Sequence, residues 1–365
     1  MPRRALVLGG GGVLGFAWML GALSALESET GLDARDVELA VGTSAGSVTA
    51  ALLGCGLSVD VIARHHQGIP APEDPTLVYD YGSATGAAVP PRPGWRPASP
   101  RLVLGGLRHP REVPPIVALS GLLPAGRGSL QPVHDLVSGV AATSGHARSW
   151  PSTPRPWIVA VDYRTGRRIV FGRDGIAELP GAQHLPGGVG PDRASAGRQP
   201  VLGAVELADA VRASCSIPGW YPPAMVGGVP YIDGGAVSNA SVDVLRDTGI
   251  DEAYVLAPMA SLEPDDPQTA AARLERRIRR AITKRIVADA AALRATGVHV
   301  CLVTPGSADL QAMGANLMNP VRRSEVLESA RVTAATQVRR QLAPSRGQRR
   351  ASRRGPDSAG TAGSA

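Results

Sequence analysis

The pentapeptide Gly42-Thr43-Ser44-Ala45-Gly46 stands at an abrupt change of residue pattern. Before it, Leu39-Ala40-Val41 is a short apolar run that suits a buried strand. After it, Ala45 to Leu53 has the Ala, Leu and Val content of a packed helix. A G-x-S-x-G sequence between a strand and a helix forces its serine to the apex of a strained turn, and the flanking glycines remove side chains that would collide there. Ser44 is therefore expected to project its hydroxyl outward. The free N–H groups and positive dipole end of the helix behind it favour negative charge on that oxygen. A plain helix N-cap is the competing explanation, because serine is a preferred capping residue. The strand before it and the helix after it favour the exposed nucleophile.

A second glycine motif comes earlier. Ala5-Leu6-Val7-Leu8 reads as the first strand, Gly9 to Gly12 as a loop and Phe16 to Glu27 as an apolar helix. Arg3-Arg4 followed by the apolar run to Leu26 imitates a signal peptide or a membrane span, but four consecutive glycines would cripple such a helix. Gly10-Gly11-Gly12-Val13-Leu14-Gly15 satisfies G-x-G-x-x-G, so a dinucleotide-binding oxidoreductase is the natural rival. That fingerprint expects a carboxylate at the end of the next strand, and here the strand ends in Gly42-Thr43-Ser44. If the two strands are parallel neighbours, their C-terminal ends bring the Gly10, Gly11 and Gly12 loop beside Ser44. The bare backbone then forms an oxyanion hole.

The remaining acid–base partner is sought further along. Pro230-Tyr231-Ile232-Asp233-Gly234-Gly235 closes a short strand with an acid facing glycines. Such a turn is commonly only a turn, but a carboxylate at a strand end gains weight in a chain with an exposed serine and a glycine hole. His299, inside the run Val298 to Thr304, completes a Ser-Asp-His order that imitates an α/β-hydrolase triad, although it reads better as a core histidine. Adjacent His65-His66 have no metal partner nearby and read as a solvated helix end. Asp162 reads as a turn residue.

At 365 residues the chain can bury a large α/β core. Its net charge of +7 comes almost entirely from arginine, Lys284 being the only lysine, and permits but does not require an anionic partner. Aromatic residues make up 4%, too few for base-stacking platforms, so no nucleic-acid partner is expected. Cys55, Cys215 and Cys301 lie far apart and odd in number, which suggests reduced thiols in a cytoplasmic protein and no zinc site. Further strands are expected at Trp157 to Val161, Arg168 to Phe171, Asp251 to Pro258 and Val298 to Thr304. Helices are expected at Pro132 to Val140, Val205 to Ala213, Pro267 to Thr296 and Asn319 to Arg339. Residues 65–150 weaken into Pro and Gly clusters and read as a variable cap or insertion, with residues 180–200 a mobile loop and 344–365 a disordered tail. The long helix at Pro267 to Thr296 carries a basic face. Solvation is its default explanation, and contact with anionic lipid headgroups is the alternative.

Taken in order, the Gly10 to Gly15 run, the Gly42 to Gly46 elbow and Asp233-Gly234-Gly235 resemble the motifs of the bacterial patatin-like phospholipases. The stretch from Arg212-Ala213-Ser214 to Pro222-Pro223, Asn239, and Met313-Gly314-Ala315-Asn316 to Arg322-Arg323 are also similar to family usage. The resemblance implies a three-layer α/β/α sandwich with a mainly parallel sheet, formed as one acyl hydrolase domain over residues 1–343. It implies hydrolysis of lipid acyl esters by a Ser44–Asp233 dyad, with Gly10, Gly11 and Gly12 around the oxyanion and Gly15, Gly42, Gly46, Gly234 and Gly235 supporting the motifs. No cofactor or metal is called for, and the partner implied is the lipid substrate; peripheral contact with an anionic membrane rests on the basic helix alone. Two positions depart from the pattern: Leu14 stands where the family commonly has Arg or Lys, and Ser241 where proline is usual. Besides the oxidoreductase, a non-catalytic lipid-binding protein on a decayed hydrolase fold remains as an alternative.

Overall fold

The computed structural model describes residues 2–79, 99, 102–104, 115–124, 126–173, 177–178 and 205–342. The expected mobile loop at 180–200, the tail at 344–365 and much of the 65–150 segment lie outside them. A mainly parallel sheet carries the fold. Its strands are β1 (Arg4–Leu8), β2 (Leu39–Thr43), β3 (Arg155–Asp162), β4 (Arg168–Phe171), β5 (Ala177–Glu178), β6 (Ala224–Val226), β7 (Val229–Asp233), β8 (Glu252–Leu256) and β9 (His299–Val303). The order is β5-β4-β3-β2-β1-β8-β9, with β7 pairing both β3 and β6. β1, β2, β3, β8 and β9 run parallel, while β4 to β7 enter antiparallel.

Alternation along the central strands assigns the two layers of helices. Leu6, Leu8, Ala40, Ile158, Leu256 and Val303 face one core, formed with α1 (Gly12–Thr30), α2 (Ala45–Gly54), α3 (Val59–Gln67), α5 (Gln131–Thr143), α6 (Leu207–Ser214) and α9 (Arg323–Leu342). Ala5, Val7, Val41, Val159, Val255 and Leu302 face the other, against α7 (Ala270–Arg294) and the turn Val242–Leu245. A period of two on a sheet covered on both faces gives the near-continuous apolar strands seen in the sequence. Two further short helices are α4 (Pro115–Ser120) and α8 (Ser307–Met313). The three-layer α/β/α sandwich is the architecture expected.

Details differ for physical reasons. α1 begins at Gly12 and not Phe16, because the glycine loop folds straight into the helix and Gly15 N already donates to Gly11 O at 2.9 Å. The closing helix starts at Arg323, after a short 3₁₀ turn at Pro320–Arg322. α5 falls in the segment read as a cap, yet Val133, Leu136, Val137 and Val140 are buried in the main core. That end of the segment is part of the sandwich. His65-His66 also correct the sequence reading: His66 is buried, with its ring edge against Phe16 at a centroid distance of 5.0 Å. Burial holds its pKa down, at about 3.

α2 crosses the sheet at very short range through two glycines. A β-carbon at Gly46 would lie 1.9 Å from the carbonyl oxygen of Leu8, and one at Gly42 would lie 2.4 Å from that of Gly46. Both obstacles are backbone and cannot yield without moving β1 or α2. Gly46→Ala should therefore destabilise the fold by about 1–3 kcal/mol or prevent folding altogether. A denaturant melt with the wild-type midpoint would show that α2 does not pack this closely.

Candidate active site

The register of β3 brings Ser44 and Asp233 together. Thr43, the last residue of β2, pairs with Val159, and the next position of β3, Ala160, pairs with Asp233 at the end of β7. β4 occupies the opposite flank of β3 over Ile158 to Val161, so β2 and β7 share one flank and meet end to end. Ser44 follows at that junction with φ 53° and ψ −122°, a left-handed backbone that is strained for any residue with a side chain. The strained turn is the one expected from the pentapeptide, but Ser44 is only 6% exposed and lines a cleft where the sequence suggested an outward-facing hydroxyl.

Neighbouring groups hold the strained turn. Ser44 N donates to Ser214 Oγ at 2.9 Å, and Ser214 Oγ donates to Val159 O at 2.6 Å. Ser47 N and Ser47 Oγ both donate to Ser44 O, at 2.8 and 2.6 Å. Asp233 is fixed through Asp233 N to Ser216 O at 3.0 Å and through Gly235 N to its own Oδ1 at 2.7 Å. Gly234 is needed because a β-carbon there would lie 2.5 Å from Val159 O. The Ser44 hydroxyl and Gly235 N favour the charged form of the Asp233 carboxylate. Desolvation outweighs both and raises the pKa of Asp233 to about 6. Cys215, the other nucleophile nearby, is pushed up to about 12 by burial and by the charge of Asp233, which keeps it a thiol.

The glycine loop lies against the serine. A β-carbon at Gly10 would stand 3.2 Å from Ser44 Cβ. Gly9 N donates to Leu256 O and Gly10 N to Asn239 O, each at 2.9 Å. This corrects the place of Gly10: its N–H is spent on Asn239, and the residue supplies clearance for Ser44. Among the described residues, nothing accepts from the N–H groups of Gly11 and Gly12. Gly12 has φ 62°, and its α-carbon is roofed by Met318 Sδ and Leu317 O, at 2.8 and 3.1 Å from a β-carbon placed there. The ring of Pro258 backs the loop, 3.0 Å from a β-carbon at Gly11 and 3.4 Å from one at Gly15. Arg279, fully buried on α7, holds that proline by donating from Nη1 to Pro258 O at 2.5 Å and Ala260 O at 3.1 Å. Its guanidinium pairs with Glu275 at 2.7 Å. Leu14 is buried in the core, so a cation at that position would have no water to face. Ser241, the other departure, accepts from Arg168 Nη1 at 3.3 Å inside a buried Arg168–Asp243 pair.

A cleft opens at Ser44 and Gly12. Its walls are apolar, from Phe16 on α1, Val48 and Leu52 on α2, Ile62 on α3 and Leu136 on α5, with Ile217 and Tyr221 at one side. From Ser44 to Leu52 it follows α2 for roughly 12 Å. His65 and His66 line the same space. Among the described residues no cluster of three His, Cys, Asp or Glu side chains could hold a metal. His299 lies elsewhere. It is exposed at the first position of β9 and paired with Glu252 at the start of β8, whereas Ser44 follows the far end of the sheet. The core histidine expected there is corrected to a surface one.

The three motifs mark the glycine loop, Ser44 and Asp233 in the sequence itself. Ser214, the Asn239 carbonyl and the Pro258–Arg279 support act through backbone contacts between distant segments, and only Ser214 and Asn239 had a sequence signal, their place beside the motifs.

Stability should record the burial of Asp233. Its folded pKa of about 6 lies above the ordinary value of 3.8, so the unfolded chain loses its proton first as pH rises. The group costs nothing below pH 4, and the cost grows through pH 6 to at most about 3 kcal/mol. Asp233→Asn, which can still accept from Gly235 N, should gain stability over the wild type progressively from pH 4 to 7 in thermal melts. A constant difference across that range would contradict a raised pKa.

No curated protein matches the chain. Among solved structures, VipD from Legionella pneumophila is similar at 12% identity and a TM-score of 0.43, covering 93% of this chain and 67% of that one. The type III effector protein ExoU is similar at 16% identity and a TM-score of 0.38. It covers 93% of this chain, which spans about half of that structure, 53%. The glycine loop, the Ser44 elbow and Asp233 all fall within the two segments, residues 6–68 and 188–246, over which the chain matches the model of the patatin-like phospholipase family.

Proposed function

We propose that this protein is a serine hydrolase of lipid acyl esters, working through Ser44 and Asp233, with residues 1–343 acting as one catalytic unit. The observation that carries this reading is the meeting of a strained, apical serine and a buried carboxylate on one flank of β3, beside two backbone N–H groups that nothing accepts from among the described residues. An ordinary aspartate is a weak base for a serine, but desolvation strengthens this one toward working pH. Ser44 Oγ attacks the ester carbonyl as Asp233 takes its proton, and the N–H groups of Gly11 and Gly12 stabilise the oxyanion. Asp233 then returns the proton to the departing alcohol. A water, deprotonated by the same carboxylate, cleaves the acyl-serine and frees the fatty acid. The apolar cleft beginning at Ser44 suits the acyl chain, and the family match supports a lipid substrate. The dinucleotide reading is disfavoured because Leu14 N, a first-turn donor of the helix that would face a pyrophosphate, is already taken by Leu317 O at 2.9 Å. Peripheral contact with the membrane belongs to the same reading. Among the described residues no helix is long and apolar enough to cross one.

Hydrolysis of a medium-chain ester tests this directly. Ser44→Ala should abolish turnover without unfolding the chain, and Asp233→Asn should lower kcat at least about a hundredfold. Retained activity in folded Ser44→Ala would remove the nucleophile assignment. The wild-type rate should fall on the acid side around pH 6, as the carboxylate becomes protonated and can no longer accept the serine proton. His299→Asn should keep the wild-type rate, and a folded but inactive variant would point to a histidine base.

A further inference from the structure

We propose that the outward face of the N-terminal half of α7 docks the protein on an anionic lipid surface, a surface role that deepens the lipid-hydrolase reading and rests on it. Arg273, Arg277, Arg280 and Lys284 are exposed and follow one another at helical spacings of four, three and four, so they form one stripe about 60° wide. Next to it on the wheel stand Leu274 and Ile278, 62% and 50% exposed. The inward face is different: Arg276 and Arg279 are buried, and they hold Asp265 and Glu275. Asp289 is taken by Arg285. The nearby loop acids Glu263 and Asp266 accept from Ser307 N and Gln268 Nε2. Among the described residues no carboxylate pairs with Arg277, Arg280 or Lys284, and Arg273 donates only to Pro267 O. The stripe is therefore a net positive surface with aliphatic side chains beside it.

Its position matters as much as its charge. Arg279 reaches Pro258 O and Ala260 O just beyond the C-terminal end of β8, and Arg294 reaches Val300 O near the start of β9. α7 thus runs antiparallel to the strands. Its 25 residues span roughly 37 Å against about 17 Å for a five-residue strand, so its first turns project past the sheet. They project at the end where Ser44 and the glycine loop lie. Cations with exposed Leu and Ile suit a headgroup layer with acyl chains beneath it. A single-stranded nucleic acid would be served by aromatic side chains, and none stands on this face.

Co-sedimentation of the full chain with phosphatidylcholine vesicles, with and without phosphatidylserine, tests the surface. The wild type should partition onto the serine-lipid vesicles and little onto phosphatidylcholine alone. R277Q/R280Q should bind roughly thirtyfold more weakly, from about fivefold for each cation removed. L274S/I278S should weaken binding as well, and both double variants should keep wild-type turnover of a soluble short-chain ester. The proposal fails if either double variant binds like the wild type, if the wild type ignores lipid charge, or if duplex DNA binds to this face and vesicles do not. A wild type that sediments as expected but turns over no soluble ester would overturn the hydrolase reading and leave the docking face standing.

Discussion

Two strand ends meeting on one flank of β3 are the constraint on which the site depends. Thr43 and Asp233 pair with consecutive residues of a single strand, Val159 and Ala160, so the backbone hydrogen-bond ladder itself sets the distance between serine and carboxylate. Because side chains alternate across a sheet, a slip of one residue would turn the Asp233 side chain to the opposite face. Ser214 strengthens the junction by bridging Ser44 N to Val159 O, the same carbonyl that limits Gly234 to a glycine.

That geometry is held at a cost in stability. Ser44 sits in a left-handed conformation, Asp233 is buried without a cationic partner among its named contacts, and Gly11 and Gly12 present N–H groups without acceptors among the described residues. Compensation comes from the layers on either side. α1, which starts at the glycine loop, is tied to α8 and α9 through Asp309, a buried carboxylate accepting from Trp18 Nε1, Gly306 N, Ser329 Oγ and Thr333 Oγ1. From the other layer, Arg279 presses Pro258 onto the loop. A cation is thus present behind the glycines, although it comes from α7 and acts through a proline, while Leu14 fills the core.

Much of this was legible in the sequence, and the limits follow from range. The elbow and the acid at the end of β7 arise from local pattern, because glycine clusters and apolar runs report backbone needs directly, whereas the layer order followed from the family resemblance and the parallel pairing of β1 and β2 was a condition of the oxyanion-hole reading. The hairpin partner β6, the core position of α5 and the burial of His66 were not. Each depends on contacts with segments far away in the chain, and the histidine pair reads as polar until Phe16 covers it. His299 was misplaced because position within an apolar run does not reveal which strand end meets water.

The most direct test of the account is the pH dependence of labelling by a fluorophosphonate, followed by identification of the modified peptide. The account predicts a single adduct on Ser44, a rate that rises through an apparent pKa near 6, and loss of that step in Asp233→Asn. An adduct at another residue, or a labelling rate that keeps its pH step when Asp233 is replaced, would contradict it.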